Sequence, residues 1–352
     1  MTSLFGDTPS TPRPPKKLQE YKSTPPRIRP PKNLQEYEST PPRIRSSMNI
    51  NHMPSNTDTR LTLFTKKQDW LKSLNKDGIC SLSSFGKIKK FSEGAVGQSF
   101  GCQDTNIAIK VVDKNERSEK EIECYNYFTD YVEKNSGFPH FPLIYSISEC
   151  DNVSLTQTYG SRTTVELVKK NAYLIFSELA EGTLKDVISQ LSEEEMIGMI
   201  FQVLMACLVL ENKGYVHNDL EPANILFYSY DRSPAFFENT EYIEYRIDTH
   251  TMVRVKHFKR LYVLWDFGMM VKNGVEDPRD KGHIIINTLN NDLKVTFFPI
   301  LSRNYRKYTG KYENVQKILN IFDDRASIEN VRDLVLKKLS MQFKDIITII
   351  EF

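Results

Sequence analysis

The chain is expected to be an α+β protein, with a small antiparallel β lobe, a larger mainly helical lobe and a disordered Pro-rich tail in front. Three observations favour this class. Short β-rich runs flank glycines between residues 87 and 113, as in antiparallel hairpins. Two later segments carry apolar residues at helical spacing. The tail, residues 1–59, holds 11 of the 17 prolines. We expect the two lobes at 60–181 and 182–352.

The composition indicates a globular protein with a real core. Of the 352 residues, 39% are hydrophobic and 26% are charged, and the net charge is +2. The five cysteines are scattered without a C-x-x-C pair, so we expect reduced, buried thiols, no zinc site and an intracellular location in the cytoplasm or nucleus. The most apolar segment, 196–210, is shorter than the ~20 residues that cross a bilayer. The chain also begins without the apolar core of a signal peptide, so we expect no membrane association.

The tail contains a tandem repeat, RPPKKLQEYKSTPPRI at 13–28 and RPPKNLQEYESTPPRI at 29–44. Its Pro-Pro pairs exclude helices and sheet ladders, so the tail is predicted to be extended and disordered. It can serve as a spacer, or as a docking or phosphorylation segment, because Thr24 and Thr40 precede prolines and lie near arginines. Its basic residues are spread too widely along the chain to predict nucleic-acid binding.

A glycine turn between two predicted strands is the first chemical signal, in KIKKFSEGAVGQSFGCQDTNIAIKVVD at 87–113. Gly94 and Gly97 fit the second and third glycines of G-x-G-x-x-G, with Ser92 at the first place. Alone, this pattern is more typical of an ordinary hairpin. Lys110 follows in an apolar strand, where a lysine must reach solvent or an anion such as phosphate. The residues expected to cover the phosphates are Ser92, Glu93, Gly94, Ala95, Val96 and Gly97.

A helix is predicted next, because ERSEKEIECYNYFTDYVEK at 116–134 repeats apolar residues at helical spacing. Its acidic face could point a carboxylate back to Lys110. Either Glu121 or Glu123 could do so, and we prefer Glu121 because it lies one turn ahead of the positions that would pack on the sheet. For either residue the alternative is a solvated surface glutamate.

A buried strand ending at a bend is predicted in YLIFSELAEGTLKDV at 173–187. The backbone from Glu178 to Ala180 could read an adenine edge there, or could simply link two domains. A core helix is predicted after Ser192, a residue type that caps helix N-termini. Apolar residues at helical spacing between 313 and 352 predict further core helices.

Two polar motifs interrupt apolar strands in the second half of the chain. YVHNDLEPANILF at 215–227 sets Asp219 and Asn224 five residues apart, and RLYVLWDFGMMV at 260–271 breaks at Asp266. Each could be an ordinary solvated loop. Carboxylate and amide oxygens are also the ligands of hard cations, so the same residues could hold one.

Together, the glycine turn, strand lysine, helix glutamate, hinge, H-x-D-x-x-x-x-N and D-F-G follow the order of the protein kinase signature. Over about residues 85–300 the chain resembles a eukaryotic-type protein kinase. The tail repeat and the divergent sequence make it similar to the serine/threonine kinases of large DNA viruses of the iridescent-virus kind. The resemblance implies a kinase fold with ATP and Mg²⁺ in its cleft, and a viral protein in a host cell or associated with virions.

The resemblance also implies a role for each motif residue. Lys110 would hold the α and β phosphates of ATP, and Glu121 would fix its position. Asp219 would be the catalytic base for the acceptor hydroxyl, while Asn224 and Asp266 would bind Mg²⁺. The expected acceptor is a Ser or Thr of a protein substrate.

Several positions depart from the kinase pattern. Asn218 replaces the arginine of H-R-D, which normally reads a phosphate on the activation loop. Glu221 stands where serine/threonine kinases place a phosphate-contacting lysine. Residues 229–259 form an insertion that we expect to be a hairpin, and no A-P-E follows D-F-G. An activation segment without A-P-E resembles that of haspin-like kinases.

Three functions fit this pattern. An active Ser/Thr protein kinase is favoured, because the residues that touch metal and phosphate remain. A pseudokinase scaffold, which binds nucleotide or partners without turnover, is favoured by Ser92, Asn218 and Glu221. A small-molecule or lipid kinase of the aminoglycoside-phosphotransferase kind also lacks the arginine, although D-F-G and the glycine turn argue against it. The sequence does not indicate an oligomeric state.

Overall fold

The computed structural model describes residues 60–93, 97–135, 138–159, 162–231, 241–277, 280–285, 289–301, 303, 313–323 and 330–351. All of these belong to one compact unit, Ser39–Phe352. The Pro-rich tail, for which disorder and either a spacer or a docking role were predicted, lies outside the described residues.

Two helices that the sequence did not predict come first: α1 (Arg60–Ser73) and α2 (Lys76–Cys80). A 3-10 turn (Leu82–Phe85) follows them. Phe64 and Leu71 of α1 are buried in the main core. Helix α1 is therefore packed into the protein through its apolar side chains.

The first sheet has five antiparallel strands in the order β1-β2-β3-β5-β4. In chain order they are β1 (Ile88–Glu93), β2 (Gly97–Cys102), β3 (Ile107–Asp113), β4 (Ile144–Tyr159) and β5 (Arg162–Glu178). β3 lies in the middle and is buried along most of its length, as an apolar strand with neighbours on both sides should be. Helix α3 (Glu116–Lys134) connects β3 to β4, at the predicted bounds.

A buried helix, α5 (Glu193–Asn212), organises the second part of the chain. Its first turn is closed by a capping box in which Ser192 and Glu195 exchange hydrogen bonds at 3.2 and 2.8 Å. Every residue from 196 to 210 is buried, which confirms the predicted core helix. The elements before and around it are β6 (Gly182–Thr183), α4 (Leu184–Val187), α5 (Glu193–Asn212), β7 (Tyr215–Val216) and β8 (Ile225–Ser229).

The remaining elements contain more strand than expected. They are β9 (Tyr242–Arg246), β10 (Thr251–Lys256), β11 (Arg260–Leu264), β12 (Val271–Lys272), β13 (Glu276–Asp277), β14 (Asp280–Ile284), α6 (Glu313–Asp323), α7 (Val331–Asp333) and β15 (Ile347–Glu351). The chain also contains two π-helical segments, Leu289–Phe297 and Leu334–Leu339. The described part of the insertion is the expected hairpin, β9 with β10. The carboxyl-terminal β15 pairs with β10, where helix had been expected, because an insertion strand offers it a free edge.

One cysteine expectation is wrong. Cys80 at the end of α2 forms a disulfide with Cys150 of β4, with a Cα–Cα distance of 5.8 Å. The sequence had indicated reduced thiols, because the two cysteines are 70 residues apart and only the docking of α2 beside β4 brings them together. Cys102 and Cys207 are free and buried.

The predicted α+β class is confirmed, with an antiparallel sheet and its long helix followed by a part built around α5. Among the described helices, none is both long enough and apolar enough to cross a membrane.

Candidate active site

The lysine of β3 is held between two carboxylates. Lys110 lies among apolar residues along its strand, and its side chain is only 7% exposed. Its Nζ donates to Oε1 of Glu121 on α3 and, at 2.8 Å, to Oδ1 of Asp266. Pairing with both carboxylates offsets the desolvation of the buried ammonium. The cation is therefore fixed where β3, α3 and the segment after β11 meet.

Glu121 is the glutamate of α3 that faces inward. The helix starts with a capping box, in which the Asn115 side chain accepts from the Ser118 N–H at 3.0 Å and the Ser118 hydroxyl accepts from the Asn115 N–H at 3.1 Å. This start fixes which face of α3 lies on the sheet. Glu121 is fully buried and Glu123 is exposed. The contact with the lysine goes to Glu121, the residue that the helical spacing favoured.

The Asp-Phe-Gly turn begins with a left-handed residue. Asp266 has φ 62° and ψ 70°, and a 3-10 turn (Phe267–Met269) follows. Phe267 is buried, with ring centroids 5.1 Å from Tyr125 and 5.6 Å from His217. Because Phe267 points into this aromatic cluster, the preceding aspartate turns toward the lysine. The Asp266 side chain nevertheless stays 39% exposed.

The loop before Asp219 is anchored by a buried aspartate that the sequence analysis missed. Asp292 accepts hydrogen bonds from the backbone N–H groups of His217 and Asn218, at 2.7 and 2.6 Å. Nε2 of His217 lies 2.9 Å from the carbonyl oxygen of Trp265, to which it donates. The loop is thereby tied to the residue just before the Asp-Phe-Gly turn. Asp292 sits in the polar run NND and carries no motif that could have identified it.

Asn224 orients the carboxylate of Asp219. The amide nitrogen of Asn224 donates to the carbonyl oxygen and to Oδ2 of Asp219, at 2.8 and 3.1 Å. Since the nitrogen faces Asp219, the amide oxygen is directed elsewhere. The backbone carbonyl of Asn224 accepts from the Trp265 N–H at 2.9 Å. The two polar motifs are therefore hydrogen-bonded to each other.

Asn224 and Asp266 fit a divalent cation that keeps part of its own hydration shell. They flank the same end of the β8–β11 ladder, where Ile225 pairs with Leu264. In the part of the chain that the structure describes, no three His, Cys, Asp or Glu side chains are placed to hold a metal. Mg²⁺ needs no such cage, because it combines one or two protein oxygens with water and phosphate oxygens. The donor chemistry thus suits Mg²⁺ together with a phosphate.

The glycine turn is described on both sides of its tip. Ser92 and Glu93 end β1 and are exposed. Gly97 opens β2 at a place where a Cβ would come within 2.4 Å of the Val111 carbonyl oxygen, so the close approach of β2 to β3 requires glycine. The three residues of the tip lie outside the described residues: Gly94, Ala95 and Val96.

The predicted hinge follows β5. Glu178 is the last residue of the strand, and its buried carboxylate pairs with Arg60 of α1, a residue that the sequence analysis did not single out. Ala180 is partly exposed. The backbone groups of Leu179 and Ala180 form no hydrogen bond with any described residue. They are therefore available to a ligand, as an adenine contact would require.

A second missed residue links α3 to the Asp-Phe-Gly turn. Nε of Arg117 donates to the carbonyl oxygen of Gly268 at 3.1 Å. Arg117 lies four residues before Glu121, and so on the same face of the helix. That spacing is the signal that could have identified it. The helix that carries the glutamate is thus joined to the turn that carries the aspartate.

Burial and charge shift the pKa values of the groups around the lysine. Burial lowers the pKa of Lys110, but Glu121 and Asp266 outweigh it, so the pKa is raised. Burial raises the pKa of Asp266, but Lys110 outweighs it, so the pKa is lowered. Burial lowers the pKa of His217, which keeps its imidazole neutral at neutral pH. Lys110 and Asp266 are therefore both charged at neutral pH, which suits an anionic ligand and a metal cation.

Comparisons with known proteins find protein kinases. The chain is 29% identical over 128 residues to a calcium/calmodulin-dependent protein kinase type 1 of Macrobrachium nipponense, over 36% of this chain and 31% of that protein. It is 28% identical over 177 residues to a "probable serine/threonine-protein kinase" of Dictyostelium discoideum, over 46% of this chain and 23% of that protein. The chain thus spans under a third of the length of either relative.

The other comparisons add less. No family model matches the chain. A crystal structure of a kinase domain aligns with a TM-score of 0.34 and 15% identity, over 55% of this chain and 53% of that one. The sequence similarity covers part of the chain, in two proteins that are both named as kinases. Over these segments the chain is therefore similar in sequence to protein kinases.

Proposed function

We propose that the chain is an ATP- and Mg²⁺-dependent phosphotransferase, and specifically a protein kinase that acts on Ser or Thr. The observation that carries the proposal is the buried Lys110 ammonium between the carboxylates of Glu121 and Asp266. The Asp219 loop supports it, because it is hydrogen-bonded to the same turn through Asn224. The names of the two kinase relatives support a protein acceptor.

The proposed reaction needs positioning and charge stabilisation more than covalent chemistry. Lys110 would bind phosphate oxygens of ATP, with its ammonium held in place by Glu121. A bound Mg²⁺ would neutralise phosphate charge, and the Asn224 and Asp266 oxygens would hold it. Asp219, oriented by Asn224, would accept the proton of the acceptor hydroxyl. The new bond forms between that oxygen and the γ-phosphorus, and the bond to the β-phosphate oxygen breaks.

A transfer assay tests the proposal. The full chain is incubated with labelled ATP, Mg²⁺ and either a Ser/Thr-rich protein or small hydroxyl compounds. We expect transfer to the protein, and a loss of at least about 10²-fold when Asp219→Asn or Asp266→Asn is introduced. Asp248→Asn is the matched control, because Asp248 pairs with Arg332 on the surface. Equal rates for all three variants would contradict the assignment, and transfer to small compounds alone would indicate a small-molecule kinase.

The pseudokinase alternative is supported by Glu221. This residue lines a cavity of about 260 Å³ together with Lys185 and Ser189, and its carboxylate pairs with no described cation. A negative charge beside the acceptor loop would repel incoming phosphate. If the chain binds ATP without turnover, Glu221→Lys should restore transfer. If the natural chain already transfers phosphate, the pseudokinase alternative is wrong.

A further inference from the structure

Arg60, the first residue of α1, is the most completely buried arginine in the part of the chain that the structure describes. Its side chain is 7% exposed and that of its partner, Glu178, is 4% exposed. Nε of Arg60 lies 2.7 Å from Oε1 of Glu178, and Nη2 lies 2.5 Å from Oε2. This is the two-pronged geometry in which a guanidinium fixes both the position and the orientation of a carboxylate.

The same guanidinium also holds the connection that leads into β4. Nη1 donates to the carbonyl oxygen of Pro139 at 3.1 Å, and Nη2 donates to that of Phe141 at 2.8 Å. From the other side, the Leu143 N–H donates to Oε2 of Glu178 at 3.2 Å. Arg60 therefore joins three segments, namely the start of α1, the connection before β4 and the end of β5.

The segment that follows Glu178, residues 179–181, is fixed at its carboxyl end by a second glutamate, Glu181. The Glu181 N–H donates to the Phe227 carbonyl oxygen at 3.1 Å. The Glu181 carboxylate accepts from the N–H and the hydroxyl of Ser229, at 2.5 and 2.6 Å. Between the two fixed ends lie Leu179 and Ala180, whose backbone groups have no described partner. A short backbone segment with free donors and acceptors is thus held between two anchored glutamates.

We propose that Arg60 is a positioning residue for nucleotide recognition, because it holds Glu178 and thereby presents the backbone of Leu179 and Ala180 to the edge of an adenine. The inference rests on one part of the proposed function, the binding of an adenine nucleotide, and not on phosphate transfer. Arg60 touches no substrate atom and acts through Glu178. Pre-organising residues 179–181 in this way removes the ordering cost that a ligand would otherwise meet on binding.

A lysine cannot replace the arginine in this role. Its ammonium is a point charge on a flexible stem, so it keeps the ion pair with Glu178 but loses the planar fork and the simultaneous contacts to the carbonyls of Pro139 and Phe141. Arg60→Lys should therefore leave the charge in place and loosen the backbone that follows Glu178. This variant separates positioning from charge neutralisation.

The experiment compares two nucleotides that differ only in the base edge. Dissociation constants for ADP and inosine diphosphate are measured by calorimetry on the full chain, with Mg²⁺, for the natural protein and for Arg60→Lys. Inosine diphosphate carries a carbonyl in place of the adenine amino group, so backbone recognition favours ADP. We define the selectivity ratio as the dissociation constant for inosine diphosphate divided by that for ADP. In Arg60→Lys this ratio should fall about 2–10-fold, which corresponds to the loss of about one hydrogen bond.

Two controls isolate the role of Arg60. Arg254→Lys makes the same exchange in a partly exposed pair with Glu244 on the β9–β10 hairpin. Phe64→Leu weakens the packing of α1, because Phe64 is buried on the same helix, and it removes none of the Arg60 hydrogen bonds, which go to Glu178, Pro139 and Phe141. Neither variant should change the ratio. A variant that merely lowers the folded fraction weakens both nucleotides equally and also leaves the ratio unchanged.

Three results would overturn the positioning role of Arg60. An unchanged ratio in Arg60→Lys overturns it, as does a natural protein that binds both nucleotides equally well. An equal fall in Phe64→Leu also overturns it, since the effect would then belong to the docking of α1. The proposed phosphotransfer is judged separately: if the natural protein binds ADP selectively but transfers no phosphate, the proposed function fails and the positioning role of Arg60 stands.

Discussion

Arg60 and Lys110 are two buried cations, each paired with a buried glutamate, but they differ in what surrounds the pair. The Arg60 guanidinium contacts both oxygens of Glu178 and two backbone carbonyls, so its pocket is filled by protein. Lys110 has a second carboxylate instead, that of Asp266, whose side chain is 39% exposed. The second carboxylate oxygen of Glu121 has no hydrogen-bond partner among the described residues.

This difference separates a structural ion pair from a candidate site. A cation whose contacts are complete can only hold segments together. A cation that shares an accessible carboxylate can exchange that contact for a ligand oxygen. The two pairs are also connected, because Glu178 of β5 and Lys110 of β3 belong to adjacent strands of one sheet. The following variants test whether the two cations really differ in this way.

Removing Arg60 should have the largest effect on stability. Arg60→Ala leaves the Glu178 carboxylate buried without its cation, which should lower the free energy of unfolding by about 3–5 kcal/mol. Urea denaturation followed by circular dichroism measures the loss. Arg254→Ala, which opens a partly exposed pair, should cost no more than about 1 kcal/mol. Similar losses in both variants would show that burial does not set the strength of the Arg60 pair.

Removing Lys110 should affect activity more than folding. Lys110→Met should lower phosphate transfer about 10²–10³-fold, because a charge aimed at the phosphates is lost. The fold should survive, since burial already raises the pKa of Glu121 and its carboxyl can take up a proton. Initial rates with labelled ATP and a thermal melt measure the two effects. Lys114→Met, which opens an exposed pair with Glu149, is the control, and a rate loss of the same size there would contradict the role of Lys110.

Reducing the disulfide tests whether a covalent link also holds the amino-terminal segment that carries Arg60. Cys80 and Cys150 are 70 residues apart, so closing this loop should contribute about 2–4 kcal/mol to the free energy of unfolding. Thermal melts with and without a reductant measure it, and Cys80→Ser with Cys150→Ser should match the reduced protein. Cys124→Ser, at a free and partly buried cysteine, is the control. If the melting temperature is the same with and without the reductant, the ion pair and apolar packing are sufficient to hold this segment in place.

Glu211 is a half-buried acid with no described cation partner, and its substitution should have the smallest effect on stability. Burial raises its pKa to about 7, with Asp333 adding to the shift. A carboxyl in an unfolded chain has a pKa of about 4.3, so the folded state binds the extra proton between these values. The stability from Glu211 is therefore complete below about pH 4.3 and is lost as the pH rises through 7.

Glu211→Gln should remove this pH dependence. Glutamine can still accept from the Val331 N–H, which lies 2.9 Å from the Glu211 carboxylate. The free energy of unfolding of the variant should therefore rise relative to the natural protein by about 1–2 kcal/mol between pH 5 and pH 8. Denaturation curves at both pH values measure it. Glu194→Gln, at an exposed position of the same helix, is the control, and its free energy of unfolding relative to the natural protein should be the same at both pH values. If the difference between Glu211→Gln and the natural protein is also the same at both pH values, the raised pKa of Glu211 is contradicted.

Local patterns were sufficient for the elements that carry the candidate site. Helix α3 begins and ends at the predicted residues because its capping box and its apolar spacing are both local. The contact of Lys110 with Glu121 was also within reach, since only 11 residues separate them across one strand and one helix. The proximity of Asp266 could be inferred only from the order of the motifs, because it lies 156 residues from the lysine.

Contacts between distant segments were beyond the sequence. Arg60 and Glu178 are 118 residues apart, and His217 and Asp292 are 75 apart. Nothing in the residues around Arg60 or Asp292 distinguishes them from solvated side chains. Helix α1 was missed because its mixed sequence gives no clear apolar face, and β15 was missed because its partner β10 belongs to an insertion.

What the amino-acid order settles here is therefore the set of local elements and the residue types at their ends, since capping, periodicity and strand propensity act within about one or two turns of chain. That Arg60 meets Glu178, and that Asp292 anchors the backbone of His217, was decided by packing alone. Burial of α1, α5 and the sheet brings such partners together, and the cost of leaving a charge unpaired in the interior then selects the arrangement in which each cation finds its acid.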